Sequence, residues 1–185
     1  LDVVLKLNKM NQVKWFDRKF EFSFEQNIFP SIIERLEGTP VRLNNKINKI
    51  PIEHLTIKFE EKWSIQENIG HLIDLEPLWQ GRLEDILNDK EYLRSADLEN
   101  KKTELAKHNE IEIDVLLAEF LKLRSINLNI LTTLTEKEVY KCALHPRLKT
   151  PMRTMDLFLF VAEHDDHHLA RISELNKLLT TLYKR

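Results

Sequence analysis

Apolar residues recur at three- and four-residue intervals over four long stretches of the chain, and no period-two alternation bounded by hairpin turns recurs, so the pattern predicts helices. Ile28, Ile32, Ile33 and Leu36 form the first stripe, over about Glu25 to Glu37, with Pro30 tolerated near its start and Gly38-Thr39-Pro40 as its stop. Val41 to Lys62 then reads as a long connection, with a short helix near Arg42 to Ile47. Ser64-Ile65-Gln66-Glu67 is a capping box and opens a second helix that runs to about Asn88, bent at Pro77. A polar stretch from Asp89 to His108 leads to a third helix, about Glu110 to Thr133, marked by Ile113, Leu116, Leu117, Phe120, Leu121, Leu128 and Leu131. Leu134 to Pro151 reads as a loop, and Met152 to Tyr183 as a fourth helix. The expected architecture is all-α, a four-helix bundle with long crossover connections, in which sites are built from facing helices.

Composition supports this reading and narrows the setting. With three glycines and abundant Leu, Ile, Lys and Glu, the chain of 185 residues suits one helical domain spanning 1–185, residues 1–24 forming an N-terminal extension that leads into it. A net charge of −2, from 28 basic and 30 acidic residues, gives no electrostatic footprint for a phosphate backbone, so nucleic acid is not expected as a partner. No apolar run approaches the roughly 20 residues that cross a bilayer, so no membrane partner is expected either. Cys142 is the single cysteine, is expected to pack, and fits a reducing, cytoplasmic compartment. The chain opens on Leu1; Met10 is a candidate internal start, and residues 1–9 are either part of the natural protein or an addition to it.

The fourth helix carries the candidate chemistry. Its apolar stripe reads Val161, His164, His168, Ile172, Leu175, Leu179 and Leu182, so two imidazoles one turn apart replace hydrophobes on a face aimed at the core. An unsatisfied buried imidazole costs roughly 1–3 kcal/mol, and a shared metal ion satisfies both rings at once. Of the seven histidines, His54, His108 and His145 fall in connections, whereas His71 stands two turns inside the second helix among Ile69, Leu72 and Leu75. His71, His164 and His168 thus form a candidate three-histidine site that leaves open positions for water or substrate. No His-Glu-x-x-His and no Glu-x-x-His occurs, which removes the zincin and ferritin-like patterns and favours a single metal ion. Zinc, nickel or iron suits such ligands.

Two segments together carry a family resemblance: Trp63-Ser64-Ile65-Gln66-Glu67-Asn68-Ile69-Gly70-His71-Leu72-Ile73-Asp74, and Glu163-His164-Asp165-Asp166-His167-His168-Leu169-Ala170-Arg171-Ile172. Trp15 to Phe20 and His145-Pro146-Arg147 add to it. The chain resembles the DinB/YfiT-like superfamily of metal-binding four-helix bundles. That resemblance implies an up-down-down-up bundle, His71, His164 and His168 as metal ligands, and a homodimer. It implies a metal-dependent enzyme acting on a small-molecule substrate, either a hydrolase or an S-transferase with a low-molecular-weight thiol as co-substrate. The alternative it leaves is a non-catalytic metal or small-ligand binding protein of the stress response. A frequent His-Arg-Gly-Gln ending is replaced here by His168-Leu169-Ala170-Arg171, so no role for that glutamine carries over.

An open metal position admits two chemistries, attack by a bound water or by a bound thiolate. Glu67, Asp74, Asp165 and His167 are the candidates for orienting ligands or moving protons. Each has a plainer role: Glu67 as the helix cap, Asp74 and Asp165 as helix-face acids, and His167 as a neighbour or alternative to His168. Arg171 could meet an anionic group or pair with Glu174 or Glu163. The aromatics Trp15, Phe16, Phe20, Phe22 and Phe24 read as core or dimer contacts. A third class, an interaction protein with its histidines merely hydrogen-bonded in the core, stands beside enzyme and binder.

Overall fold

The computed structural model describes residues 12–22 and 24–183, which leaves residues 1–9 outside the described residues. Four long helices, α1 (Phe29–Ile47), α2 (Ile65–Leu87), α4 (Ile113–Leu131) and α6 (Thr154–Tyr183), carry the fold, with short helices α3 (Lys101–Leu105) and α5 (Glu136–Tyr140) in the connections. α1 packs on α4 and α6, and α2 packs on the same two. Consecutive α1 and α2 therefore lie across a diagonal, which is why their connection must be long. The all-α four-helix expectation holds.

The capping box at Ser64 forms as read: Ser64 Oγ accepts from the Glu67 amide at 3.0 Å, and the Glu67 carboxylate accepts from the Ser64 amide at 2.9 Å. Gly38-Thr39-Pro40 does not stop α1, which runs on to Ile47 and buries Thr39, Pro40, Leu43 and Ile47. Pro40 cannot donate to the Leu36 carbonyl, and the Arg124 guanidinium donates to that oxygen instead at 3.3 Å. Tertiary packing thus repairs what the proline removes.

Leu134 to Pro151 is not a plain loop. Thr135 caps α5 with Glu138 in a second capping box, and β1 (Cys142–Leu144) pairs antiparallel with β2 (Pro151–Arg153). This hairpin sets the His145-Pro146-Arg147 turn against the bundle. Cys142 is exposed on β1 and does not pack as expected.

Two apolar clusters fill the bundle, one around Ile32, Trp79, Leu83, Leu131, Phe158 and Phe160, the other around Leu43, Ile65, Ile69, Phe120, Ile172 and Leu175. Every long helix contributes to the first cluster from one half and to the second from the other, and the polar residues Glu76, Arg124, Asn127, His164, Asp165 and His168 sit at the changeover. No helix among the described residues is long and apolar enough to cross a membrane.

Candidate metal centre

α2 delivers His71 and α6 delivers His164 and His168 to one point in this polar layer. One ring nitrogen from each of the three lies within 4.8 Å of the others, and all three side chains are buried. The His164 and His168 Nε2 atoms are 3.2 Å apart. Tetrahedral zinc with nitrogens at about 2.0–2.1 Å holds them about 3.3–3.4 Å from one another, so this pair already stands at chelating separation.

Neighbouring hydrogen bonds decide which nitrogen of each ring is free. Asn68 donates its amide to the Ser64 carbonyl at 2.7 Å, so its Oδ1, 2.9 Å from His168 Nδ1, must be an acceptor. His168 therefore carries its proton on Nδ1 and presents a lone pair at Nε2. His71 is fixed by a longer relay. Thr103 gives its one hydroxyl proton to the Asp74 carboxylate at 3.0 Å and so accepts from His71 Nδ1 at 3.1 Å, again leaving Nε2 free. Asp74 is held in turn by His108 Nε2–H at 2.8 Å. His164 Nδ1 has no partner among the described residues, and the ring is positioned by packing, with the Trp15 and Trp79 rings edge-on at 4.8 and 5.8 Å. A buried imidazole with one nitrogen orphaned and the other 3.2 Å from a lone pair fits a metal ligand better than a satisfied core residue.

Burial dominates the protonation of these rings. It holds His71 down to about 4, with Asp74 opposing, and it keeps His164 and His168 well below the ordinary histidine value, helped by repulsion from His71 and His167. All three are neutral imidazoles at pH 7, the form that ligates metal. Burial also pushes Asp74 upward, but the hydrogen bonds from His108 and Thr103 outweigh it and hold the carboxyl below its usual value.

The remaining sequence candidates are dispersed. Glu67 is occupied as the cap and pairs with Lys58 at 2.7 Å. Asp165 faces away from the histidines and is clasped by Arg124 at 2.6 and 3.1 Å, and the same guanidinium binds Glu76. His167 stands beside Trp15 at the edge of the site, half-buried, with Nδ1 unpartnered among the described residues. Arg171 pairs with Glu174 at 2.6 Å. Asn68, Thr103 and His108 were missed by the sequence reading. Asn68 lies one turn before His71 on the same helix and was findable, whereas Thr103 and His108 come from a connection whose path no local pattern dictates.

A pocket of about 620 Å³ opens onto the three histidines. Trp63, Leu75, Leu78, Trp79 and Phe160 give it apolar walls, and Arg82, His145 and Arg147 line another part of it. Trp15 and Phe16, expected in core or dimer contacts, line the pocket as well.

Relatives in structure agree on the fold. YfiT from Bacillus subtilis, described as "a probable metal-dependent hydrolase with an unusual four-helix bundle topology", superposes with a TM-score of 0.74 at 24% identity, over 88% of this chain and 93% of its own. The colibactin self-resistance protein ClbS, solved in complex with double-stranded DNA, superposes with a TM-score of 0.62 at 15% identity, over 83% of this chain and 98% of its own. No curated protein matches the sequence significantly. The ClbS complex overturns the exclusion of nucleic acid drawn from composition. Net charge sums over the whole surface, whereas phosphates are met by local groups of cations, so a value of −2 excludes nothing for a particular face. In sequence, the family model of the DinB superfamily matches residues 35–172, a span that contains His71, His164 and His168, and the chain belongs to that superfamily.

Proposed function

We propose that this protein is a metal-dependent hydrolase of small molecules, with His71, His164 and His168 holding one divalent ion. The observation that carries the reading is the pocket of about 620 Å³ that ends on three buried, neutral imidazoles, two of them with Nε2 freed by their neighbours. A divalent ion bound there lowers the pKa of a water in an open position and polarises the bond to be cut. The protein supplies orientation through Asn68 and the Thr103–Asp74–His108 relay, and a water-poor wall through Trp63, Trp79 and Phe160. His167 lines the pocket beside the proposed ligands and is the side chain we assign to taking or returning a proton. The description of YfiT supports the same chemistry.

A second reading, thiol S-transfer, draws on one observation. Of the three acids lining the pocket, Glu104 accepts from the Trp63 indole, Asp97 from two backbone amides, and Glu61 is solvent-exposed, so the described residues offer no buried, unengaged carboxylate as base, and a metal-bound thiolate needs none. The test has two stages. Untagged protein should retain about one equivalent of divalent metal and the His164→Ala variant almost none; equal content in both would sink the metal site. Zinc-loaded protein is then given activated esters on one hand, and a thiol panel with a generic electrophile on the other. Chelator-sensitive ester cleavage supports the hydrolase, turnover only with thiol supports the transferase, and silence in both leaves a binding protein.

A further inference from the structure

Arg82 is buried, yet it has no carboxylate. It stands on α2 three turns after His71, on the same face, and is 2% exposed. Its Nε donates to the Arg94 carbonyl at 3.1 Å, and its Nη1 lies 3.2 Å from His145 Nε2. The acids that follow it on α2, Glu84 and Asp85, are both engaged by Arg94, at 3.3 and 2.9 Å. Burying a guanidinium without a counter-charge is costly, and natural sites rarely leave one so.

His145 makes the arrangement more telling. Its Nδ1 faces two backbone amides, of Arg147 at 3.2 Å and Leu148 at 3.1 Å, and so must be the acceptor. The ring proton is then on Nε2, and it confronts the Arg82 Nη1 with no acceptor between them. Two donors converge on one place. Arg147 adds a second guanidinium from the same turn, resting over the Phe16 ring at 5.2 Å and making no ion pair among the described residues. The other cations of the pocket are spoken for: Lys58 by Glu67, Lys62 by Glu60 and Arg171 by Glu174.

We propose that Arg82, Arg147 and the Nε2–H of His145 form an anion subsite that takes the carboxylate or phosphate of a small substrate. Trp79 joins this subsite to the histidines, since its ring centroid is 5.5 Å from the Arg82 guanidinium carbon and 5.8 Å from the His164 ring. A substrate anchored by its anionic end thus lays an apolar or aromatic middle on Trp79 and brings its other end to His164. The subsite stands on its own geometry, and only the placing of a reacting centre rests on the enzyme reading above. It also gives the His145-Pro146-Arg147 turn a task, carried to the pocket by the hairpin.

Metal-free protein, stripped with EDTA, separates this proposal from the metal site. Calorimetric titration with 4-phenylbutanoate, 4-phenylbutanamide and 3-phenylpropyl phosphate should show the better of the two anions binding at least about ten-fold more tightly than the neutral amide. Which anion leads identifies carboxylate or phosphate as the natural group. In Arg82→Gln the advantage should fall below about three-fold. Equal binding of acid, phosphate and amide by the wild type would overturn the proposal, as would an advantage that survives in Arg82→Gln. Should that variant fail to fold, Arg147→Gln, at a half-exposed position, takes its place: an advantage cut at least about three-fold supports the subsite, and an undiminished one overturns it.

Discussion

Asn68 is the residue whose replacement tests the proposed metal centre most sharply, because its Oδ1 holds a single ligand, His168, through one hydrogen bond. Asn68→Ala removes the Oδ1 that accepts from His168 Nδ1 at 2.9 Å and leaves that N–H buried without an acceptor. The lost restraint on the tautomer and the stranded donor together cost about 1–3 kcal/mol, which matches the 10–100-fold loss of metal affinity typical of such neighbours. Asn68→Asp acts differently. It keeps an acceptor for His168, gives up the donor to the Ser64 carbonyl, and adds negative charge in the early turns of α2, where the helix dipole favours it. Zinc affinity measured by competition with a chromogenic chelator should therefore fall 10–100-fold in Asn68→Ala and stay within about three-fold of wild type, or improve, in Asn68→Asp. Equal losses in both variants would mean that Asn68 acts through packing alone, and the tautomer argument would be refuted.

Gly70→Ala drives a Cβ into the His108 ring, so despite alanine's better helix propensity it should lower stability in urea by about 1–3 kcal/mol and loosen metal binding by releasing Asp74. Glu76→Leu leaves Arg124 paired with Asp165 but strands buried donors of Arg124 and Asn127, and should cost about 1–3 kcal/mol by the same measurement, whereas an unchanged midpoint would show the cluster to be loosely coupled. In metal-free protein, His71 and His145 are both held down to about 4, chiefly by burial, whereas the unfolded chain takes up these protons near 6.5. The unfolded state thus binds more protons between those values, and urea midpoints should drop as pH falls from about 6.5 to about 4; a flat profile would contradict the burial of both rings.

The fold was readable where the chain's own chemistry is local. The capping box at Ser64, the apolar stripes and the spacing of His164 and His168 each follow from residues within two turns of one another. The end of α1 was misread because Gly38-Thr39-Pro40 is a local stop signal, and what overrides it is Arg124, eighty-eight residues away from the Leu36 carbonyl it satisfies. The hairpin was missed because three-residue strands leave too short a pattern, although Thr135-x-x-Glu138 announced α5. In the site, the ligands were legible and their supports were not. Thr103 and His108 reach His71 only through the course of a polar connection, and the vacancy beside Arg82 exists only once His145 is folded against it.

The polar layer at mid-height explains why one bundle can hold both an ion cluster and a metal centre. α6 turns Asp165 toward Arg124 and its neighbour His164 toward His71, so the two features are consecutive residues of one helix facing different partners. Three neutral imidazoles leave the charge of a bound dication uncompensated by its own ligands, in a place where burial makes that expensive. Asp74, which reaches His71 through Thr103, supplies a negative charge on that side, while Arg124, whose positive charge disfavours protonation of His164, is paired with Glu76 and Asp165. Burial raises Glu76 above its usual value despite Arg124, and the neighbouring Asp165 adds to the rise. A cation at the histidines would thus meet Asp74 through Thr103, and beside it an arginine whose charge is taken up by its own two acids, so Asp74 is the carboxylate on which the charge balance of the centre rests.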